Sequence, residues 1–238
     1  MTGATAGIGR ATAEILAKNN YDLIITGRRS ERLNDLKQHI ENKYFTKVNI
    51  LNFDVRNRLE FEKVFDELLS EWKQIDVLVN NAGLAAGLDF IYDGDIENWE
   101  TMIDTNVKGL LYVSRKIMPI MISRHKGHII NIGSIAGKET YLKGNVYCAS
   151  KHAVEAITKA MRMELLPYGI KVTSICPGMV ETEFSIVRLK DEEKAKEVYK
   201  GFEPLTAADI AETVEFVISR PKNVNINDIL IMPTAQAN

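Results

Sequence analysis

Cysteine is scarce in this sequence: Cys148 and Cys176 are the only two among 238 residues. Two cysteines make no disulfide scaffold, so a small stapled secreted domain is excluded. No Asn-x-Ser/Thr triplet offers a glycosylation acceptor. No apolar run approaches the ~20 residues that span a bilayer. No basic segment followed by an apolar core opens the chain. A cytoplasmic protein with no membrane partner is expected. An excess of one charge is lacking too. Thirty basic and 32 acidic residues leave a net charge of −2. A general nucleic-acid binder needs surplus basic residues against phosphates, so no nucleic-acid partner is expected. His39, His125, His128 and His152 show no metal-ligand spacing with the cysteines, and no metal site is expected.

What is present is ordinary globular composition, with 45% hydrophobic and 26% charged residues. A chain this long buries roughly 70–75% of its extended surface, enough for a sizeable core. Ile8, Ala11, Thr12, Ile15 and Leu16 recur at helical spacing. Leu23–Thr26 reads as a short buried strand. Ser30 is expected to cap a helix carrying Leu33, Leu36 and Ile40. Val48–Asp54 reads as a strand, and Phe61, Val64, Phe65, Leu68, Leu69 and Trp72 form a helical stripe. Ile75–Asn80 reads as a strand, and residues 95–121 as mostly helix. Strands at His128–Gly133, Ile170–Cys176 and Ile226–Met232 flank a helix over Tyr147–Leu166. Residues 179–204 read as irregular, with a charged helical patch at Asp191–Lys200. Thr206 and Asp209 resemble a capping box for a helix ending at Ser219. Strand–helix alternation implies right-handed crossovers and a parallel sheet. The expectation is an α/β chain: one Rossmann-type, doubly wound domain over residues 1–238, with helices on both faces.

Gly3, Gly7 and Gly9 sit in Thr2-Gly3-Ala4-Thr5-Ala6-Gly7-Ile8-Gly9, ahead of an amphipathic helix. Such a loop lets backbone approach a pyrophosphate, and the helix start aims unpaired N–H groups at the anion. A tight turn without a ligand is the bland alternative. Arg28 and Arg29 follow the second predicted element, where an NAD site would place a carboxylate for the ribose hydroxyls. Two guanidiniums suit a 2′-phosphate instead, against the alternative of an exposed basic pair. Asp54 ends its strand and is either an acceptor for an adenine amino group or a helix N-cap. Asn80-Asn81-Ala82-Gly83 falls at the carboxyl edge of an apolar strand, where such sheets bind ligands.

Tyr147 and Lys151 are four residues apart on one predicted helix, so they share a face. A phenol with pKa near 10 is a poor proton carrier at neutral pH, and a nearby ammonium is expected to lower it. Ser134 follows a strand and stands 13 residues before Tyr147, where its hydroxyl can polarise a carbonyl oxygen. Asn106 lies inside a predicted helix, where asparagine has modest propensity.

Together these residues resemble the short-chain dehydrogenase/reductase family. The resemblance rests on TGxxxGxG at Thr2–Gly9, NNAG at Asn80–Gly83, Asn106, Ser134, YxxxK at Tyr147–Lys151, and Pro177-Gly178 with Thr182. It covers essentially the whole chain in order. It implies that Tyr147 is the general acid or base, that Lys151 binds the nicotinamide ribose and tunes Tyr147, and that Ser134 holds the substrate oxygen. It implies a water held by Asn106. It places the dinucleotide along Gly3, Thr5, Gly7, Ile8, Gly9, Asp54, Val55, Asn81, Ala82 and Gly83. It places the carboxamide near Pro177, Gly178, Val180 and Thr182. A narrower resemblance, carried by Thr26–Leu33, Asp54–Asn57, Trp99–Asn106, Gly144–Tyr147 and Asn223–Asn227, is to the NADP-dependent 3-hydroxy acid branch, which is serine 3-dehydrogenase-like. It implies NADP as cofactor, a small hydroxy acid or carbonyl substrate, and a homotetramer. A carboxylate substrate needs a cation, and Arg188 is the candidate for it, with Asn145 as a second pocket residue. Cys148 reads as a packing residue. Two other readings stay open. One is a 3-oxoacyl-carrier-protein reductase or general carbonyl reductase, with Arg124 and Lys126 as a basic docking patch. The other is a non-catalytic nucleotide sensor.

In this family an apolar strand ends at the threonine-glycine pair, and here only Met1 precedes Thr2. The first central strand is therefore expected to be missing, which would make this an N-terminally shortened form. Leu23–Thr26 and Ile75–Asn80 would then flank an empty slot about 9–10 Å wide, twice the usual strand spacing. Such a chain is expected to be unstable and weak at holding a pyrophosphate.

Overall fold

The computed structural model describes residues 1–236. In chain order its elements are α1 (Gly7–Lys18), β1 (Leu23–Gly27), α2 (Ser30–Lys43), β2 (Val48–Asn52), α3 (Arg58–Asp66), β3 (Val77–Asn80) and α4 (Ile96–Ile103). There follow α5 (Leu110–Arg124), β4 (His128–Ile132), α6 (Asn145–Leu165), β5 (Lys171–Pro177), β6 (Val180–Glu181), α7 (Glu183–Leu189), α8 (Glu192–Glu197), β7 (Leu205–Thr206), α9 (Ala207–Ile218) and β8 (Asp228–Ile231).

The strands pair in parallel. β3, β4, β5 and β8 form one sheet, β1 and β2 a second, and the short β6 and β7 a third. Period-two alternation sends neighbouring side chains to opposite faces. On β4, Ile129 packs into a core shared with Phe61, Ile117, Val154 and Leu165, which come from α3, α5 and α6. Its neighbour Ile130 joins Ile210 and Val214 of α9 on the other face. Beneath β1, Ile25 packs with Leu16 of α1 and with Leu33, Leu36 and Ile40 of α2. Helices thus cover both faces, as the alternation predicts.

Several local expectations shift. Ser30 is the first residue of α2 and its N-cap is Arg29, with no side-chain cap. The long stripe from Phe61 breaks after α3 into a 3₁₀ turn at Ser70–Lys73. The Thr206–Asp209 capping box is present at α9. The segment read as irregular contains α7, while the charged helical patch expected at Asp191–Lys200 is present as α8.

Among the described residues no strand lies between β1 and β3. Met1–Ala4 bridges only the upper end of that gap. Thr26 N donates to Met1 O (3.1 Å), Ala4 N donates to Thr26 O (2.9 Å), and Thr2 N donates to Val79 O (3.0 Å). The Met1 amine donates to Ile24 O at 2.6 Å, and burial pushes its pKa down to about 5. Below the bridge lies a cavity of about 500 Å³, lined by Leu23, Ile24, Val77, Leu78, Val113 and Ile117 among others.

Candidate active site

The carboxyl ends of β1, β3, β4 and β5 converge on one cavity of about 340 Å³. It is lined by Gly3, Thr5, Gly7, Ile8, Gly9, Arg28, Arg29, Asp54, Val55, Asn81, Ala82, Gly83, Pro177, Gly178, Val180 and Thr182. Ser134, Tyr147 and Lys151 line it too. Residues separated by most of the chain are brought together because parallel crossovers return every strand's carboxyl end to the same edge.

The glycine loop is built for close approach. Gly3 and Gly7 have φ of 69° and 49°, a region L side chains rarely enter. A Cβ on Gly9 would collide with the carbonyl of Gly3. Thr2 locks this loop to the Asn80–Gly83 turn, a role the motif alone does not reveal. Its hydroxyl accepts from Asn81 N and Ala82 N, both at 3.0 Å, and Asn81 Nδ2 donates to the Thr2 and Gly3 carbonyls at 3.0 Å. The cradle fits a pyrophosphate because its glycines leave the backbone bare and α1 begins at Gly7.

At the outer end, Arg29 Nε and Nη2 donate to Thr5 Oγ1 at 3.1 and 2.8 Å. Arg28 is largely exposed, 3.8 Å from Asp54. Asp54 is not a helix N-cap, because Asn57 caps α3. Both of its carboxylate oxygens accept from Arg56. Burial pushes the Asp54 carboxyl up, but the Arg56 hydrogen bonds prevail and hold it below the usual carboxylate range.

At the inner end, Lys151 is buried and its Nζ donates to Ile132 O at 2.9 Å. Burial lowers its pKa to about 8. Tyr147 is buried one turn away, and burial pushes its phenol up to about 12. The hydroxyl of Ser134 and the guanidinium of Arg188 pull the phenol back down. The expected depression by Lys151 is thus overturned, because desolvation penalises the phenolate more than the nearby groups favour it.

Asn106 departs from its expected helix. It sits in a π-helical turn, Asp104–Gly109, between α4 and α5. Such single π turns recur at functional sites. Its amide donates to Leu84 O at 2.8 Å and to Ser150 Oγ at 3.0 Å, and its Oδ1 accepts from Leu84 N at 2.9 Å. The side chain therefore staples the strand-end turn to α6.

A smaller recess beside Tyr147 holds Asn145 and Arg188. Asn145 tethers the neighbouring loop, with Nδ2 donating to Asp89 O at 2.8 Å. Arg188 Nε donates to Gly87 O at 3.2 Å and Nη1 donates to Tyr141 OH at 2.9 Å. Its guanidinium lies 5.6 Å from the Tyr147 ring. Among the described residues no carboxylate pairs with it. Thr182 caps α7 by accepting from Phe184 N at 3.2 Å. Cys148 is buried, as packing predicts. Glu183, Phe184 and Val187 of α7 also line the main cavity, which sequence reasoning missed because their segment showed no periodicity.

Residues 1–193 match the family model for short chain dehydrogenase. An NADP-dependent 3-hydroxy acid dehydrogenase of Salmonella typhi is 46% identical over all of this chain and 95% of its own length. Sulfoacetaldehyde reductase 2 of Chromohalobacter salexigens is 41% identical over all of this chain and 94% of its own. The closed form of a serine dehydrogenase complexed with NADP+ superposes with a TM-score of 0.96 at 44% identity, over all of this chain and 95% of that one. No helix among the described residues is long and apolar enough to cross a membrane. With its motifs in place along the sheet edge and these relatives matched end to end, the chain belongs to the short-chain dehydrogenase family.

Proposed function

We propose that this chain transfers a hydride between NADP(H) and a short 3-hydroxy acid such as serine, or the corresponding carbonyl compound. The observation that carries the acid specificity is Arg188, a guanidinium beside Tyr147 with no carboxylate partner among the described residues. The observation that supports NADP is Arg28-Arg29 just past the end of β1, with Arg29 held against Thr5 of the glycine loop. When bound, the dinucleotide supplies or accepts the hydride at its nicotinamide. The protein's own residues orient and move the proton. Ser134 holds the substrate oxygen beside Tyr147. Tyr147 gives its phenolic proton to the developing alkoxide in reduction and takes it back in oxidation. Lys151 holds the ribose side of the site, and Asn106 fixes the Leu84 segment against α6.

A sulfonate-bearing aldehyde, as the name of the Chromohalobacter relative indicates for that protein, would call on the same cation. Arg188→Ala is expected to lower kcat/KM for L-serine about 10–100-fold, the worth of a charged hydrogen bond. An uncharged short alcohol should lose far less. Equal losses on both substrates would reject Arg188 as the acid's anchor.

The pH dependence follows from Lys151. Its pKa is depressed to about 8, so its charge is present below that pH and is lost as pH rises through it. Tyr147, at about 12, keeps its proton throughout. Initial rates of carbonyl reduction should be flat at acidic to neutral pH and fall above about 8. A rate that stays flat to pH 10 would remove Lys151 from the reaction.

The carrier-protein reading loses its docking patch. Arg124 and Lys126 both pair with Asp76, at 2.6 and 3.0 Å, ahead of β3 and at the opposite end of the sheet from the site. A non-catalytic sensor has no need for the buried Ser134, Tyr147 and Lys151 cluster. A homotetramer in the cytoplasm belongs to the same proposal. Exposed Leu111 on α5, Met163 on α6 and Leu166 just past the end of α6 are apolar surface that partner copies would cover.

A further inference from the structure

Glu183 opens α7 and reaches back across the mouth of the cavity to the start of α2. Its Oε2 accepts from Arg29 Nη1 at 3.1 Å, and its Oε1 accepts from Arg32 Nη1 at 2.8 Å. These pairs join residues 154 and 151 positions apart in sequence. Arg29 turns its other edge inward, where Nε and Nη2 meet the hydroxyl of Thr5. One guanidinium therefore has an edge on α7 and an edge on the glycine loop. A hydroxyl is a neutral acceptor that a phosphate dianion outcompetes for a guanidinium fork. Arg29 can take a phosphate on its Nε–Nη2 edge while Nη1 keeps Glu183.

What α7 does for the site makes this link consequential. Its Phe184 ring lies 5.8 Å from the ring of Tyr147, and its Arg188 guanidinium lies 5.6 Å from the same ring. A helix fastened at Glu183 holds both of them over the reacting end. An isolated exposed ion pair is weak because solvent screens it. Here one carboxylate is shared by two guanidiniums, and one of those is itself oriented by Thr5.

We propose that Glu183 is a positioning residue that straps α7 to Arg29, so that closure of α7 over the substrate responds to a 2′-phosphate and discriminates NADP from NAD. This rests on the cofactor reading above. Coupling is reciprocal, so a 2′-phosphate that favours the strapped position of α7 is itself held more tightly when α7 is strapped.

The test uses the full chain and two binding readouts that need no turnover. In the unmodified protein, saturating NADP+ should slow amide hydrogen exchange of residues 183–189 more than saturating NAD+ does. In Glu183→Gln that difference should vanish. NADP+ affinity, read by fluorescence titration, should weaken about fivefold, within ordinary coupling magnitudes. NAD+ affinity should stay within about twofold. Arg32→Gln, at a residue that touches Glu183 but does not itself line the cavity, should shift NADP+ in the same direction by less. Equal weakening for both cofactors, tighter NADP+ binding, or a retained NADP-specific protection in Glu183→Gln would each overturn the strap. Arg29→Ala separates the two levels. If it leaves the preference for NADP+ intact, the cofactor reading is wrong. If it abolishes that preference while Glu183→Gln keeps the protection, only the strap is wrong.

Discussion

Tyr147→Phe is expected to lower kcat for reduction of a β-keto acid or aldehyde by about 10²–10⁴-fold, the usual contribution of a positioned acid or base. The substitution removes one oxygen from a buried side chain and keeps its ring. That ring packs beside Phe184 at 5.8 Å and under the guanidinium of Arg188, contacts that phenylalanine preserves. Burial already holds the phenol at about 12, so the hydroxyl is a proton donor that costs free energy to ionise in place. Losing it should leave the fold intact, with a melting temperature near that of the parent chain. NADP+ affinity should also be kept, because the glycine loop and Arg29 do not touch the phenol. The measurement is a pair of experiments on one preparation: steady-state rates at the nicotinamide absorbance and a cofactor titration. A kcat within tenfold of the parent would show that another group moves the proton.

The second large effect concerns the gap between β1 and β3. In a polypeptide made to begin at Met1, placing five apolar, β-branched residues ahead of it is expected to raise the melting temperature by more than about 10 °C. An added strand in that gap buries about four apolar side chains at roughly 1.5–3 kcal/mol each, or ~6–12 kcal/mol in all. Each kcal/mol moves the midpoint of a domain this size by about 2–4 °C. The edges of β1 and β3 gain ladder partners along their whole length, where Met1–Ala4 now reaches only the upper end. The amine that burial drives down to about 5 becomes an ordinary peptide N–H. Thr2 then hangs from a continuous strand, so the loop that Thr2 locks to Asn81 should hold NADP+ more tightly. A glycine-serine extension of equal length is the control and should leave the melt unchanged. Equal melts for the two extensions would mean that the cavity of about 500 Å³ does not limit stability.

Much of the fold and site is visible in short-range spacing. Gly3, Gly7 and Gly9 mark the loop because a close backbone approach tolerates no side chain. Tyr147 and Lys151 declare themselves because one helical turn puts them on one face. The alternating strands and helices give the parallel sheet, since only crossovers connect parallel neighbours. Other features escaped because they depend on distant partners. Asn106 reads as a mid-helix residue, yet it occupies a π turn that lets its amide reach Leu84 and Ser150. The α7 segment has no clean periodicity, and its capping by Thr182 and tether from Glu183 to Arg29 and Arg32 span most of the chain. Ser30 looks like a cap, but α2 begins one residue earlier than that role requires.

The sequence by itself determined the family and the parallel pairing of the strands, and it singled out Ser134, Tyr147 and Lys151 as the candidate proton-handling residues, because each depends on residue type and local period. The tertiary structure decided the electrical state of those residues. Burial, a property of the whole packed site, sends Lys151 down and sends Tyr147 up, the latter against the expectation from a nearby ammonium alone. It also decided what surrounds them: Arg188 without a carboxylate partner among the described residues, and Glu183 joined across the cavity mouth to Arg29 and Arg32. Such pairings need two segments to meet in space, and no local pattern encodes that meeting.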